Sequence, residues 1–423
     1  MAGGQPSPPC GERGMTDMKD IWLDEGLTQV PFAVYDDKDI YARERERLFQ
    51  GPTWNILGLE CEVPEPGDYK TTYLGDIPVV LVRGKDGILR ALENRCAHRG
   101  ALLCLERFGN AKAFTCVYHA WSYNHDGELI GVAFQNGIQG EGGMGEGFRR
   151  EDHGLRQVKI AVLAGLVFGS FDEAVPPLED YLGPDIVARI HRVLPRPPKI
   201  LGYFTQTLRN NWKLYAENVR DPYHASILHL FFTTFRVNRL SQKGGIIVSE
   251  NGGHHVSYSM LDPGTADDSD YDAAKLRADS EFGLKEPRLL DGRDEFNDGI
   301  TLQILSVFPN LVLQQVRNSL VVRQIVPQGV DQADVVWTTY GFDDDDEELM
   351  DLRLMQSNFV GPAGYISMED GAVGNFIQRA LPGTKGETSV VMMGGEDAAS
   401  MASRATETSI RGFWKAYRNL MAI

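Results

Sequence analysis

Two short segments, Cys96-Ala97-His98 and Cys116-Val117-Tyr118-His119, stand seventeen residues apart, and each carries one thiol and one imidazole. Together they offer two sulfurs and two nitrogens, with Cys preceding His in both halves. A [2Fe–2S] centre with two Cys on one iron and two His on the other needs that donor set, because neutral imidazoles remove negative charge and raise the reduction potential. A common zinc finger instead keeps its Cys pair in one knuckle and its His pair on a helix. The flanks also argue against a finger: Val79 to Val82 and Leu166 to Gly169 read as strands, and Gly100, Gly109 and Gly127 punctuate loops. The surrounding chain is thereby committed to short strands that present two loops side by side. Its first task is electron transfer.

The rest of the composition narrows the class. Cys10, Cys61 and Cys104 are left over, an odd three with no disulfide framework, so a reducing cytoplasm is expected. A formal charge of −17 argues against nucleic acid and against an anionic membrane surface. No apolar run is long enough to span a bilayer. At 423 residues the chain is too long for one ordinary core, and two domains are expected.

The organisation follows from the text. Residues 1–16 are rich in Gly, Pro and Ser and read as a disordered leader, and 17–51 as a leading helical segment. Residues 52–165 hold short β-rich runs around the cluster motif, and 166–423 form a larger half. Pro195 to Pro198 reads as a stiff connector. Residues 210–235 are helical in pattern, and strands follow, among them Leu311 to Val316 and Leu320 to Val326 as a hairpin about Arg317-Asn318-Ser319. The acidic run 343–348 reads as a solvated helix start, 261–299 as a long mobile excursion, and Glu407 to Ala422 as a last helix.

The larger half holds a second constellation, Glu217-Asn218-Val219-Arg220-Asp221-Pro222-Tyr223-His224, then His229. A mononuclear iron(II) that activates O₂ takes two His and one carboxylate on one face and leaves the other open. Five residues turn a regular helix by about 140°, so the helix should be distorted between the two His, and Pro222 agrees with that. The acidic pair Glu369-Asp370 can supply the carboxylate; the residues themselves do not choose between the two.

With these motifs the chain resembles the large (α) subunits of Rieske non-haem iron ring-hydroxylating oxygenases, from Val30 to the C-terminus. The likeness rests on Cys96-x-His98…Cys116-x-x-His119, on Asp221-x-x-His224-x₄-His229 and on Gly361-Pro362-Ala363-Gly364…Glu369-Asp370-Gly371. It implies an α+β fold, with an all-β Rieske domain inserted before a helix-grip catalytic domain built on a large antiparallel sheet. It implies one [2Fe–2S] cluster on Cys96, His98, Cys116 and His119 and one Fe(II) on His224, His229 and Asp370. Asp221 would bridge to a cluster histidine, His119, of a neighbouring subunit. A homotrimer of α subunits is implied, with a small β subunit in an α₃β₃ assembly, a ferredoxin and an NADH-dependent reductase. Family members often place an Asn four residues before the bridging Asp; here Asn218 lies three before Asp221 and Glu217 four before. The loops lack the extra Cys pair of respiratory Rieske proteins, which favours the oxygenase or ferredoxin type, and the length excludes a free-standing ferredoxin.

The text looks closest to the branch that oxidises aromatic acids: terephthalate and anthranilate dioxygenases and salicylate 5-hydroxylases. An acid in an apolar pocket needs a cation, and the Arg fork binds a carboxylate at two points. Arg323 shares strand parity with Val321 and Ile325, the face expected to point inward. Its partner is either a substrate carboxylate or an internal Glu or Asp. Arg404 looks like a second carboxylate-binding arginine of the terephthalate branch; the alternative is a surface charge paired with Glu407. Anthranilate, converted to catechol with loss of CO₂ and ammonia, is the expected substrate. Terephthalate dioxygenation, salicylate 5-hydroxylation and a non-catalytic electron carrier are the alternatives.

Overall fold

The alternating runs between Trp54 and Ile160 form a seven-stranded antiparallel sheet. Its order is Asn55–Leu59, Leu166–Ser170, Gln157–Leu163, Leu89–Glu93, Ile77–Arg83, Asp68–Leu74 and Phe108–Asn110. A three-stranded sheet, Phe114–Thr115, Ser122–Tyr123 and Leu129–Gly131, carries the second motif loop. The structure is a computed structural model, and it describes residues 22, 26–260, 269–275, 281–384 and 386–423. The expected leader, and parts of 17–51 and 261–299, lie outside the described residues.

Two expectations of the sequence are corrected. The domain boundary at 165/166 cuts a hairpin: Val162 pairs with Val167 around Ala164-Gly165, both at positive φ, so Leu166–Ser170 belongs to the first sheet. The leading helix spans only Lys38–Glu44, continued by a wider π turn at Arg45–Phe49. Asp37 starts it by accepting the N–H groups of Asp39 and Ile40. Ahead of it, Gln29–Pro31 pairs as a strand with Thr388–Val390, which ties the front of the chain to its far end.

The larger half is built on a second seven-stranded antiparallel sheet, ordered Lys199–Leu208, Ala333–Gly341, Ser319–Pro327, Leu311–Val316, Ile300–Val307, His255–Met260 and Gly244–Val248. Alternation gives it two different faces. Leu305, Val307, Leu313, Leu320 and Val322 pack on the helix Pro184–Val193 through Ile186, Ile190 and Val193. The other parity, including Val312, Val321 and Ile325, packs on Trp212, Tyr215 and Ala216 of the helix Trp212–Asn218. The hairpin turns at Arg317, whose φ is 54°. Asp346 caps the helix Glu347–Val360 as the acidic run suggested, but its neighbour Asp345 is buried against Arg353 at 2.7 Å, so the run is not all solvated.

The two modules are bolted together by buried polar contacts. Gln324 donates to the carbonyls of Ile56 and Tyr73, and Asn310 accepts the N–H of Ile56. Glu44 of the leading helix accepts from Trp212 (2.8 Å) and Tyr417 (2.6 Å) and pairs with Lys213 at 2.7 Å, all of them buried. No helix among the described residues is long and apolar enough to cross a membrane.

Candidate metal centres and the cavity beside them

The two cluster loops fold alike. Cys96 N–H bonds Ala101 O and Gly100 N–H bonds Cys96 O; Cys116 N–H bonds Trp121 O and Ala120 N–H bonds Cys116 O. Each loop reverses at a positive φ, 74° at Gly100 and 54° at Ala120. The geometry sorts the donors: Cys96 and Cys116 are buried, whereas His98 and His119 are exposed with ring centroids 4.6 Å apart. Two inner sulfurs and two outer nitrogens suit an inner and an outer iron. Trp121 stacks on His98 at 4.8 Å and 9°, and the Tyr123 hydroxyl accepts Ala97 N–H and lies 3.4 Å from Cys96 Sγ. Burial pushes the spare thiols of Cys61 and Cys104 up to about 11 and about 12, so neither competes as a thiolate ligand.

The predicted distortion of 210–235 is present. The segment breaks into Trp212–Asn218, Ala225–Leu228 and Leu230–Phe235, with Pro222 in the first gap and His229 between the last two helices. The breaks turn both imidazoles to one point. His224 Nε2 and His229 Nε2 lie 3.4 and 3.3 Å from the same atom, Asp370 Oδ1, and the three donors can hold one cation. The structure also separates the acidic pair. Asp370 converges on the Nε2 atoms, while Glu369 faces the far nitrogen, Nδ1, of His229 at 2.9 Å. Asp221 does the same for His224 at 3.1 Å, and Asn218 donates to Asp370 Oδ1 at 3.1 Å. Each imidazole is thus held from behind, the arrangement that fixes imidazole orientation in metal sites, while Asn218 bonds the same Asp370 oxygen that faces them. Burial alone would lower the His224 pKa, but Asp221 and Asp370 overrule it and raise it to about 10; the two imidazoles hold Asp370 well below the usual carboxylate range despite its burial. A pocket that attracts protons this strongly suits a divalent cation.

An open cavity of about 520 Å³ lies beside this site, lined by Tyr35, Glu217, Asn218, Asp221, His224 and Glu407 among others.

A family model described as the Rieske [2Fe-2S] domain matches residues 53–140, and one described as the ring hydroxylating alpha subunit (catalytic domain) matches residues 188–423. The chain belongs to the ring-hydroxylating oxygenase α subunits. It is a Rieske non-haem iron oxidoreductase whose cofactors are a [2Fe–2S] cluster and a mononuclear iron. It is 56% identical over 401 residues to the terephthalate 1,2-dioxygenase terminal oxygenase component subunit alpha 2 of Comamonas sp, covering 95% of this chain and 97% of that one. It is 43% identical over 420 residues to the anthranilate 1,2-dioxygenase large subunit of Burkholderia cepacia, covering 99% of both. Naphthalene 1,2-dioxygenase from Rhodococcus sp., solved with indole bound, superposes with a TM-score of 0.77 at 25% identity, covering 93% of this chain and 94% of that one.

The remaining residues singled out in this oxygenase subunit are the two arginines. Arg323 is buried on the inward face, donates to Tyr215 Oη at 2.9 Å and lies 4.1 Å over the Trp337 ring. No carboxylate among the described residues pairs with it. Arg404 is 2% exposed, which overturns the surface alternative and its pairing with Glu407. It donates to Arg239 O (2.8 Å) and Asn238 Oδ1 (2.6 Å), and burial lowers its pKa to about 10. The Nε of each guanidinium finds no partner among the described residues.

Sequence reasoning missed the partner roles of Glu369 and Asn218 and the contact from Tyr35, which reaches Glu217 across 182 residues. The adjacent Glu369-Asp370 pair was a usable signal for the first of these. The last had none.

Proposed function

We propose that the chain is the large subunit of an aromatic-acid dioxygenase that takes a para-dicarboxylate of the terephthalate kind and cis-dihydroxylates its ring with O₂ and NADH-derived electrons. The carrying observation is the pair of buried guanidiniums, Arg323 and Arg404, that no carboxylate among the described residues neutralises. A buried cation without a counter-charge is costly, and a substrate carboxylate relieves that cost. Arg323 stands on Ser319–Pro327; Arg404 lies against Gly244 on the edge strand, with three strands between the two. That separation suits the two ends of a rigid dicarboxylate better than a shared grip on one carboxylate. The greater identity to the terephthalate relative supports the same choice, and the expectation of anthranilate gives way to it.

The residues divide the work. His224, His229 and Asp370 hold the iron, which when bound supplies O₂ activation. Asp221 and Glu369 keep the two imidazoles aimed, and Asn218 steadies Asp370. The arginines fix the acid groups and so set which ring carbons face the metal. Electrons leave the cluster at the exposed edge of His98 and His119, flanked by exposed Val117 and Tyr118. The open cavity ends on Asp221, and the reading carries the electron from this tip by way of the Asp221 of a neighbouring copy in a trimer to the iron site beside it. A small β subunit and ferredoxin and reductase partners complete the system.

The test is single-turnover product analysis of the reduced, iron-loaded protein with terephthalate, anthranilate and salicylate under ¹⁸O₂. A cis-diol from terephthalate with two labelled oxygens is expected. Catechol from anthranilate alone, or a singly labelled hydroxy acid from salicylate alone, overturns the substrate assignment.

A further inference from the structure

The sequence singled out Glu217, and the metal site leaves it without a part. Asn218 turns to Asp370; Glu217 turns the other way, onto the wall of the open cavity, where it accepts the Tyr35 hydroxyl at 2.6 Å. Its surroundings are set by every element packed there. Tyr35 comes from the turn before the leading helix, and Trp414 of the last helix packs edge-on to Tyr35 at 6.0 Å. On its own helix the nearest cation is Lys213, already claimed by Glu44 at 2.7 Å. Arg220 follows it in the chain but spends Nη1 on Ala216 O. Two further carboxyl groups, Asp221 and Glu407, line the same cavity. Asp221 is engaged by His224 Nδ1 and by the N–H of Tyr223; Glu407 accepts the N–H of Met393.

Glu217 is therefore a carboxyl group with one hydroxyl donor, no ion pair of its own and two carboxylate neighbours around one cavity open to water. Like charges confined in this way cannot all stay ionised at low cost. Burial is the largest influence on Glu217 and, with the charge of Asp221, raises its pKa to about 7 against the Tyr35 hydroxyl, the Trp414 indole and the charge of Lys213. Burial raises Glu407 too, but backbone N–H groups favour its charged form and His224 holds Asp221, whereas Glu217 has side-chain donors only, so Glu217 is the member placed to change its charge.

We propose that Glu217 is the proton-accepting residue of the electron path. When a one-electron donor reduces the metal centre that Asp221 borders, Glu217 takes one proton from water in the cavity. Its carboxylate becomes a carboxylic acid, the added negative charge is compensated, and no bond to substrate forms or breaks. This inference rests on the electron path proposed above, through Asp221, and on no choice of substrate.

The variant is Glu217→Gln, which keeps the size and still accepts from Tyr35. In the metal-free protein, infrared difference titration should show a protonated-carboxyl band that titrates near neutral pH and is missing in the variant. In the metal-loaded protein, a pH-indicator dye should record proton uptake on anaerobic reduction near pH 7 that falls in the variant. A band that survives the substitution, or equal uptake in the two proteins, overturns the proposal. If the Gln variant does not fold, Tyr35→Phe removes a donor that favours the charged carboxylate. The band should then titrate at higher pH, and an unchanged titration overturns the proposal. A protein that oxidises no aromatic acid yet keeps the Glu217-dependent band and uptake would sink the substrate reading and leave this one standing.

Discussion

Replacing Arg404 by Gln tests the dicarboxylate reading where the competing energies can be compared. In the native protein burial lowers the Arg404 pKa to about 10, so holding its charge without a partner costs about 3 kcal/mol. Gln removes that charge and keeps one amide donor for Asn238 or for the carbonyl of Arg239. The other acceptor is then stranded, at roughly 1–3 kcal/mol. The two terms nearly cancel, and the ligand-free variant should match the native protein in denaturant stability within about 2 kcal/mol. Binding should not be spared. Truncating one partner of a buried charge pair costs about 2–5 kcal/mol, which weakens terephthalate by about 30-fold to several thousand-fold. Benzoate, held by Arg323 alone, should bind both proteins alike, so the variant loses its preference for the diacid. Calorimetric titration of the iron-free protein with both acids reads this without turnover. Native-like terephthalate binding refutes the reasoning, as does a parallel loss for terephthalate and benzoate accompanied by a large loss of stability, since either makes Arg404 a structural residue.

Three other outcomes follow from the same geometry. Glu44→Ala leaves Lys213 buried without its counter-charge and strands Trp212 and Tyr417, so thermal or denaturant unfolding should record a loss of about 3–5 kcal/mol. Glu369→Gln removes the carboxylate that holds His229 Nδ1, and iron affinity measured by competition with a chelator should fall about 10–100-fold while the cluster spectrum stays unchanged. The pKa of Glu217 is raised on folding, from 4.5 to about 7, so protonation favours the native state. Its contribution is full below pH 4.5 and is lost as pH rises through about 7, and Glu217→Gln should gain about 1–3 kcal/mol relative to native at pH 8 and little at pH 5, with the partly open cavity setting the lower figure. An equal difference at both pH values would contradict it.

Much of this was legible from residue spacing. The two Cys/His pairs are local: each sits within four residues of its own tight turn, so the donor set, its order and the β-rich frame can be read along the chain. The His224/His229 pair was legible in the same way, because the five-residue spacing and Pro222 required the helix to break, and it does. The parity of Arg323 with Val321 and Ile325 placed the three on one face of their strand, but both faces of that strand are buried, so parity alone did not decide the burial of Arg323.

What the chain alone left open was decided by contacts between residues far apart in sequence. Glu369 and Asp370 are adjacent and chemically alike; only the docking of their helix beside the two histidines aims one at the Nε2 atoms and the other at the rear of His229. Arg404 carries no local sign of burial, and it is the bridge between Met401 and Ile246 that folds its loop over the sheet edge. The boundary at 165/166 failed because a hairpin turn resembles a linker until its strands are paired. Glu217 stands where family members often carry an Asn, and its partner could not be read from the chain, because only the fold brings Tyr35 to it across 182 residues. Sequence by itself determined which atoms could bind metal and which strand residues share a face, since those follow from side-chain chemistry and short-range periodicity. Tertiary structure decided which carboxylate meets which nitrogen and which cations stay unpaired, because burial and ion pairing depend on what the rest of the chain places alongside.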